Sequence, residues 1–177
     1  LRLVSSTLKS FAQHAPAESR LVFKVHPLER GHCGSQPLIF QTARAFGVED
    51  RVDIIDTGSL GLLARHAAGM ITINSTSGLS AIFHGIPLLV VGNAFYAHPD
   101  LVICGRGEPD FDAFWTSRHV AAPSLRQAYL NWVRHEALME GDFYAEKGIQ
   151  AAFQSILTRL QDVASAKMEP IKKRSAC

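Results

Sequence analysis

Strand-like runs alternate with helical segments through the first 90 residues, and this alternation constrains the fold more than any other feature. The runs at residues 21–25, 51–55, 69–73 and 87–91 predict strands, and a helical segment separates each run from the next. The three predicted helices have Pro37 in the first turn, Ser59 as N-cap, and a span from Thr76 to His84 that ends at Gly85. Strands joined by helices require crossover connections, which produce a mostly parallel sheet. The sequence therefore predicts a doubly wound α/β domain with helices on both faces of its sheet.

The remaining segments are mainly helical. Leu1, Val4, Leu8 and Phe11 lie at near-helical spacing, so we expect the sequence to open within a helix and to be a fragment of a longer protein. Beyond Gly92 we expect a short strand at residues 101–103 and helices at 110–117, 124–139 and 144–166. The predicted organisation is a doubly wound α/β domain at residues 1–120, helices that pack on it at 121–166, and a flexible basic tail at 167–177.

Composition excludes several classes of protein. The 177 residues are 47% hydrophobic and 19% charged, as in globular domains, and a net charge of +2 without a basic stripe argues against nucleic-acid binding. Three cysteines without a CxxC pair favour a reducing compartment over a disulfide framework or a zinc site. No apolar run is long enough to span a bilayer, and no signal peptide is recognisable. We therefore expect a cytoplasmic location, at most peripheral to a membrane.

Residues 74–78 combine hydroxyl side chains with a glycine at the start of a predicted helix. Asn74 ends a strand-like run, and Ser75, Thr76, Ser77 and Gly78 follow it. Unpaired backbone N–H groups and the helix dipole favour an anion at such a position, and glycine permits close approach of a ligand. We predict that this segment binds phosphate. A cluster of N-cap residues without a ligand is the alternative explanation.

A second anion-binding candidate follows the first strand-like run. Lys24 lies within that run, His26 precedes Pro27 at its end, and Arg30 lies in the next loop. Proline disfavours helix for the preceding residue, so we expect His26 to face the crevice at the sheet edge. With an ordinary pKa of about 6.5, His26 can bind a phosphate as imidazolium and donate a proton to it. Alternatively, neither residue binds a ligand: His26 then only ends a strand, and Arg30 lies in a solvated turn.

Both segments follow strands, and ligands of doubly wound sheets bind outside the carboxyl ends of the strands. The two segments therefore predict one phosphate held from two sides. No metal is expected, because no Asp-x-Asp pair or His/carboxylate cluster lies at a strand end. Asp56, Thr57 and Gly58 end another strand on the same rim, where a simple turn is the favoured interpretation.

Three segments, taken in order, resemble the capsule polysaccharide biosynthesis and export family, whose members are bacterial β-Kdo glycosyltransferases. They are VFKVHPLERGH at residues 22–32, INSTSGLS at 73–80 and FDAFW at 111–115. The resemblance implies one half of a GT-B-type enzyme that has two Rossmann-like domains. Such an enzyme uses CMP-Kdo to build the Kdo linker between a phospholipid and a capsular polysaccharide.

By this resemblance the sequence is the C-terminal, donor-binding part. His26 and residues 75–77 would hold the CMP phosphate, and His26 would assist the departure of CMP. CMP-Kdo is the donor substrate, and no further cofactor is implied. A lipid or glycolipid acceptor and the catalytic carboxylate would belong mainly to an N-terminal domain outside this sequence.

The sequence departs from the family at its start, because a central strand is expected before the first helix. Either the run at residues 21–25 pairs directly with the run at 69–73, or a preceding segment supplies the missing strand. In view of this departure, we expect the isolated chain to be inactive.

Two other functions stay open at this point. One is a half of another nucleotide-sugar enzyme, such as a UDP-sugar transferase or an epimerase, which competition between CMP and UDP would distinguish. The other is a non-catalytic α/β module that binds phosphate or a partner protein, whose interactions with a partner should not depend on His26 and Ser75.

Overall fold

A computed structural model describes residues 2–25, 34–105 and 109–168, and it has the predicted α/β character. The strands within those ranges are β1 (Leu21–Lys24), β2 (Val52–Ile55), β3 (Met70–Thr72), β4 (Leu88–Val90) and β5 (Ile103–Cys104). The helices are α1 (Arg2–His14), α2 (Ser35–Ala45), α3 (Leu60–His66), α4 (Gly78–His84), α5 (Phe111–Phe114), α6 (Pro123–Trp132) and α7 (Glu146–Met168). A 3-10 turn at Glu49–Arg51 precedes β2, and a π-helical turn at Val133–Ala137 follows α6.

The chain divides into two compact units, Leu1–Gln127 and Ala128–Cys177. The first unit carries all five of the strands described above, and the second consists mainly of α7 and the segment that precedes it. The packing of the C-terminal helices on the strand-bearing part and the flexible basic tail remain predictions.

Every strand pairing in the described part of the chain is parallel, as expected for strands joined by crossover helices. In the first sheet β1 pairs with β2, with Leu21 opposite Val52. In the second sheet β4 lies between β3 and β5, with Leu89 opposite both Ile71 and Ile103. The second sheet is the better buried, because all three residues of β4 are at most 2% exposed.

The strands form two sheets rather than the single continuous sheet that the alternation predicted. Direct pairing of the strand at Leu21 with the strand at Met70 is therefore wrong. Strand β1 pairs with β2 instead, and the N–H of Val25 extends this pairing by donating to Ile55 O at 2.9 Å. Strand β3 pairs with β4, where the N–H of Met70 donates to Pro87 O at 2.9 Å. Alternation specifies strands and crossovers, but not which strands become neighbours.

Helix α1 contacts both sheets through two adjacent stripes of side chains. Leu8 and Phe11 are buried in one cluster with Ile39, Ala43 and Val52, while Leu3 packs against a second cluster around Leu89. Trp115 contacts both clusters. Its Nε1–H donates to Ser10 Oγ at 2.8 Å, and Ser10 Oγ donates to Asp112 Oδ1 at 2.5 Å, so hydrogen bonds also join α1 to the region of α5. The segment FDAFW thus has a clear packing role.

An ion pair joins the start of β1 to β2. The guanidinium of Arg20 donates to both carboxylate oxygens of Asp53, at 2.8 and 2.9 Å. This hydrogen bonding lowers the pKa of Asp53 below its ordinary value. Both side chains are substantially exposed, so solvent screening limits the contribution of the pair to stability.

The end of α4 is fixed by a glycine and an arginine. Gly85 has φ +69°, the left-handed conformation that glycine favours at a helix C-terminus, as predicted. Arg126 then donates through Nη1 to Ile82 O (2.7 Å) and Phe83 O (3.1 Å) in the last turn of the helix, where Ile82 O also accepts from Gly85 N–H (3.3 Å). These bonds fix the C-terminal end of α4, the helix that begins just after residues 74–77.

Replacement of Arg126 by alanine should lower the free energy of unfolding by about 1.5 kcal/mol, because two helix-terminal carbonyls lose a charged donor. Urea unfolding of the purified chain measures the change. Arg118→Ala, which removes an exposed arginine, is the matched control and should be nearly neutral. Equal effects of the two substitutions would show that the bonds to α4 do not stabilise the fold.

Several boundaries differ from the sequence-based expectation. Helix α4 begins at Gly78 rather than Thr76, because residues 75–77 form a separate hydrogen-bonded turn. The short strand expected at 101–103 lies at Ile103–Cys104, since Leu101 and Val102 belong to a buried turn. Helix α2 begins at Ser35, so Pro37 still lies in its first turn.

Candidate functional site

The turn between β3 and α4 carries the predicted phosphate-binding residues at the carboxyl end of β3. Asn74, Ser75 and Thr76 are exposed, Ser77 is half-buried, and Gly78 is buried. The chain leaves β3 after Thr72 and enters α4 at Gly78, so these side chains lie at the rim where ligands of parallel sheets bind. We call residues 74–78 the hydroxyl turn.

The backbone N–H groups of residues 77–80 already have partners within the hydroxyl turn. Ser77 N–H donates to Ser75 Oγ (3.2 Å), and Gly78 N–H donates to Ser75 O (3.1 Å). Leu79 and Ser80 donate to Thr76 O and Ser77 O, each at 3.0 Å. The expected convergence of several unpaired N–H groups is therefore not present at residues 77–80. An anion beside residues 77–80 must therefore rely on side-chain hydroxyl donors.

The hydroxyl groups of Ser75, Thr76 and Ser77 can all donate for that purpose. Ser77 occupies the N-cap position of α4 but makes no side-chain capping bond. Within the described ranges, neither Thr76 nor Ser77 uses its hydroxyl in a recorded hydrogen bond. Ser75 Oγ accepts from Ser77 N–H and can still donate its own proton. Helix capping alone thus does not account for the hydroxyl groups at this turn.

Tyr96, which the sequence analysis did not single out, supports the hydroxyl turn from beneath. Its side chain is completely buried, and its hydroxyl donates to Ser75 O. A Cβ atom on Gly78 would overlap the ring and hydroxyl of Tyr96. Packing against Tyr96 therefore requires glycine at position 78. The sequence had instead predicted that this glycine permits close approach of a ligand. The sequence signal for this role was the pair of adjacent aromatic residues Phe95 and Tyr96, which lie in a loop that follows a strand.

The loop after β4 supports the hydroxyl turn from the side. A Cβ atom on Gly92 would overlap the side-chain amide of Asn74 and approach Ile73 O to 2.7 Å. Val91 N–H donates to Thr72 O at 2.9 Å, which extends the pairing of β3 and β4 to this point. Asn74 is thus placed as much by packing against Gly92 as by any ligand.

The second candidate segment is only partly described. Lys24 is the exposed last residue of β1, opposite Ile55 at the carboxyl end of β2. His26 and Arg30 lie outside the described residues, so their roles remain predictions. Asp56, Thr57 and Gly58 are exposed, and Gly58 has φ +96°, as expected for a turn.

Two further observations bear on other kinds of site. A groove of about 260 Å³ lies between α1 and residues 109–112, away from the hydroxyl turn, and Ser10 and Asp112 in its wall bond to each other. Among the described residues, no group of three His, Cys, Asp or Glu side chains is arranged to hold a metal ion. No helix in those ranges combines the length and the apolar character needed to cross a bilayer.

Comparison with known proteins places these features in a family context. The family model described as capsule polysaccharide biosynthesis protein matches residues 2–144, which include both β1 and the hydroxyl turn. The chain is 42% identical over 93 residues to the capsule polysaccharide export protein KpsS of Escherichia coli, covering 52% of this chain and 24% of that protein. It is 32% identical over 140 residues to the capsule polysaccharide modification protein LipB of Neisseria meningitidis serogroup A, covering 78% of this chain and 32% of that protein.

LipB of N. meningitidis serogroup B matches to the same extent. The chain therefore spans about a quarter to a third of the length of these relatives. No solved structure matches the chain.

Proposed function

The chain belongs to the capsule polysaccharide biosynthesis family, and from that premise we propose that it is the donor-binding half of a glycosyltransferase that uses CMP-Kdo. The observation that carries this proposal is the hydroxyl turn at the carboxyl end of β3 in a parallel α/β unit, where Thr76 and Ser77 have hydroxyls available as donors. Nucleotides are a ligand class that such a rim binds, and a sugar nucleotide belongs to that class.

The proposed chemistry requires stabilisation of a departing phosphate. Transfer of Kdo releases CMP, whose phosphate carries the charge that develops as the glycosidic bond breaks. Hydroxyl donors of Ser75, Thr76 and Ser77 would contact phosphate oxygens from one side, and Lys24, His26 and Arg30 would supply positive charge from the other. Donors fixed in position before the reaction stabilise such charge most effectively.

His26 has the additional role of proton donor in this proposal. As imidazolium it would neutralise the phosphate and protonate it as CMP departs. The catalytic base and the lipid or glycolipid acceptor would be held by another part of the enzyme, outside this sequence. The proposed setting is the cytoplasm, with peripheral association at the inner membrane.

Calorimetric titration of the chain with CMP, with UMP and inorganic phosphate as controls, tests the proposal. We expect CMP to bind more tightly than either control. Preference for the uridine nucleotide would instead support the UDP-sugar alternative, and a chain that is folded by circular dichroism but binds none of the three would contradict nucleotide binding.

Single substitutions at the two segments should weaken CMP binding to different extents. Ser75→Ala and Ser77→Ala should each cost about 1 kcal/mol, or roughly fivefold in Kd, as for a single hydroxyl donor. His26→Ala should cost more, because it removes a charged partner of the phosphate. Matched controls are Ser5→Ala and His66→Ala, whose side chains are exposed on α1 and α3. Unchanged affinity in His26→Ala would remove that residue from the site.

A further inference from the structure

Phe95 is an exposed aromatic residue in the loop that follows β4. Its side chain is 60% exposed, although its neighbours Ala94 and Tyr96 are 7% and 0% exposed. Single exposed apolar residues are common on protein surfaces, so exposure alone assigns no role to Phe95. Two features of its surroundings set it apart, namely the fixed conformation of its loop and its closeness to the hydroxyl turn.

The loop that carries Phe95 is held in place on both sides of this residue. Ala97 N–H donates to Ala94 O at 2.9 Å. Tyr96 O accepts from His98 N–H, also at 2.9 Å. The buried Tyr96 ring packs against the Phe95 ring in a T-shaped arrangement, with centroids 5.3 Å apart and an angle of 80° between the planes. An aromatic side chain that is exposed but already fixed can bind a flat ligand with little loss of conformational entropy.

Tyr96 connects Phe95 to the hydroxyl turn. Its ring contacts Phe95 and its hydroxyl donates to Ser75 O, so one tyrosine side chain separates the exposed ring from the turn. Strands β3 and β4 are parallel neighbours, and they lead into the hydroxyl turn and into the loop of Phe95 respectively. Both segments therefore lie at the rim where ligands of such sheets bind. Ile73, which directly precedes the turn, is also exposed and adds apolar surface there.

A ligand that uses both features has an anionic group and a flat ring. The hydroxyls of Ser75, Thr76 and Ser77 suit a phosphate, and the exposed ring of Phe95 suits a second aromatic ring, because aromatic rings stack favourably. In a nucleoside 5′-monophosphate one ribose separates the phosphate from the base, and in the protein one tyrosine ring separates Ser75 from Phe95. A nucleotide is therefore the class of ligand that matches the two features together.

We propose that Phe95 is the base-stacking residue of the candidate site, and this proposal rests on the proposed function. The base of the bound nucleotide lies on the exposed face of Phe95 while the hydroxyl turn holds the phosphate. Stacking accepts every base, because each base has a π-face. Phe95 thus favours a nucleotide over free phosphate, and it does not distinguish cytosine from uracil.

Calorimetric titration of four chains with three ligands tests the proposal. The chains are the parent, Phe95→Leu, Phe95→Tyr and Phe83→Leu, and the ligands are CMP, UMP and ribose 5-phosphate, which has the phosphate and the ribose but no base. In Phe95→Leu the Kd of CMP and that of UMP should rise by the same factor, about tenfold, while the Kd of ribose 5-phosphate stays unchanged. Phe95→Tyr retains an aromatic face and should bind all three ligands as the parent does.

Phe83→Leu is the matched control, because Phe83 is 64% exposed near the C-terminal end of α4, with its ring beside His84. It should leave all three affinities unchanged. NMR of the bound ligand gives a second readout. The ring current of Phe95 should move the H5 and H6 resonances of cytosine upfield in the parent chain, and Phe95→Leu should abolish this shift.

The proposal is overturned if Phe95→Leu, folded by circular dichroism, binds CMP as the parent does. Equal weakening of CMP and ribose 5-phosphate would also overturn it, because Phe95 would then act only by positioning the turn. A parent chain that binds ribose 5-phosphate as tightly as CMP would leave the phosphate site of the proposed function standing without a base subsite. A parent chain that binds none of the three ligands would contradict the proposed function itself, and this proposal would fall with it.

Discussion

Replacement of Phe11 by alanine should lower the free energy of unfolding by about 3–5 kcal/mol, the range for deletion of a buried aromatic ring. Phe11 is 1% exposed and lies where α1, α2 and β1 meet. Its ring packs edge-on against Trp115 with centroids 5.2 Å apart, and the guanidinium of Arg51 lies 4.4 Å from its centroid. Alanine would leave a cavity and remove both contacts.

Urea unfolding with constant m-values measures this effect, and two controls separate its causes. Phe11→Leu retains most of the volume and should cost less than about 1.5 kcal/mol. Phe153→Ala removes a phenylalanine that is 61% exposed on α7 and should cost far less than Phe11→Ala. A loss below about 1 kcal/mol for Phe11→Ala would contradict the central position of α1 in the core.

Replacement of Gly78 by alanine should lower the free energy of unfolding by about 3 kcal/mol, the upper end of the range for overpacking. The added Cβ would overlap the ring and hydroxyl of Tyr96, which is fully buried and bonded to Ser75 O. Tyr96 cannot move aside without breaking that bond. The hydroxyl turn would shift together with Tyr96, so affinity for CMP should fall as well.

Gly61→Ala is the matched control, because Gly61 lies in α3 and a Cβ there would come no closer than 3.8 Å to Ser59 Oγ. It should be neutral or stabilise the chain by up to about 1 kcal/mol, since alanine favours helix. Equal stability of Gly78→Ala and the parent chain would show that Tyr96 does not pack against this turn.

Local features of the fold could be predicted from the sequence because their causes are local. The spacing of Leu8 and Phe11 predicted the buried face of α1, and Gly85 predicted the end of α4. Ser59 was correctly predicted to cap α3, where its hydroxyl accepts from Leu62 N–H at 3.4 Å. In each case residues within about one turn decide the conformation.

Long-range features could not be predicted in the same way. The alternation of elements gave parallel strands, yet the break between β1 and β3 depends on edges that are distant in sequence. The role of Gly78 depends on Tyr96, which lies 18 residues later in a loop. Pairing of the N–H groups at residues 77–80 arose from the conformation of Ser75, which no spacing of residues specifies.

The candidate site shows the same division between local and distant causes. Residues 74–78 were expected at a strand end, and the structure places them at the carboxyl end of β3. Asn74 and Gly92 meet only because β3 and β4 are neighbours, which neither segment alone indicates. The roles of His26 and Arg30 stay predictions.

The most direct test of the proposed function is a double-mutant cycle of CMP affinity on His26 and Ser75, measured by calorimetry on the parent chain, His26→Ala, Ser75→Ala and the double variant. If both side chains hold one phosphate, the two losses should depend on each other, with a coupling above about 0.5 kcal/mol. Losses that simply add, or a CMP affinity that neither substitution changes, would contradict a single phosphate site formed by these two segments.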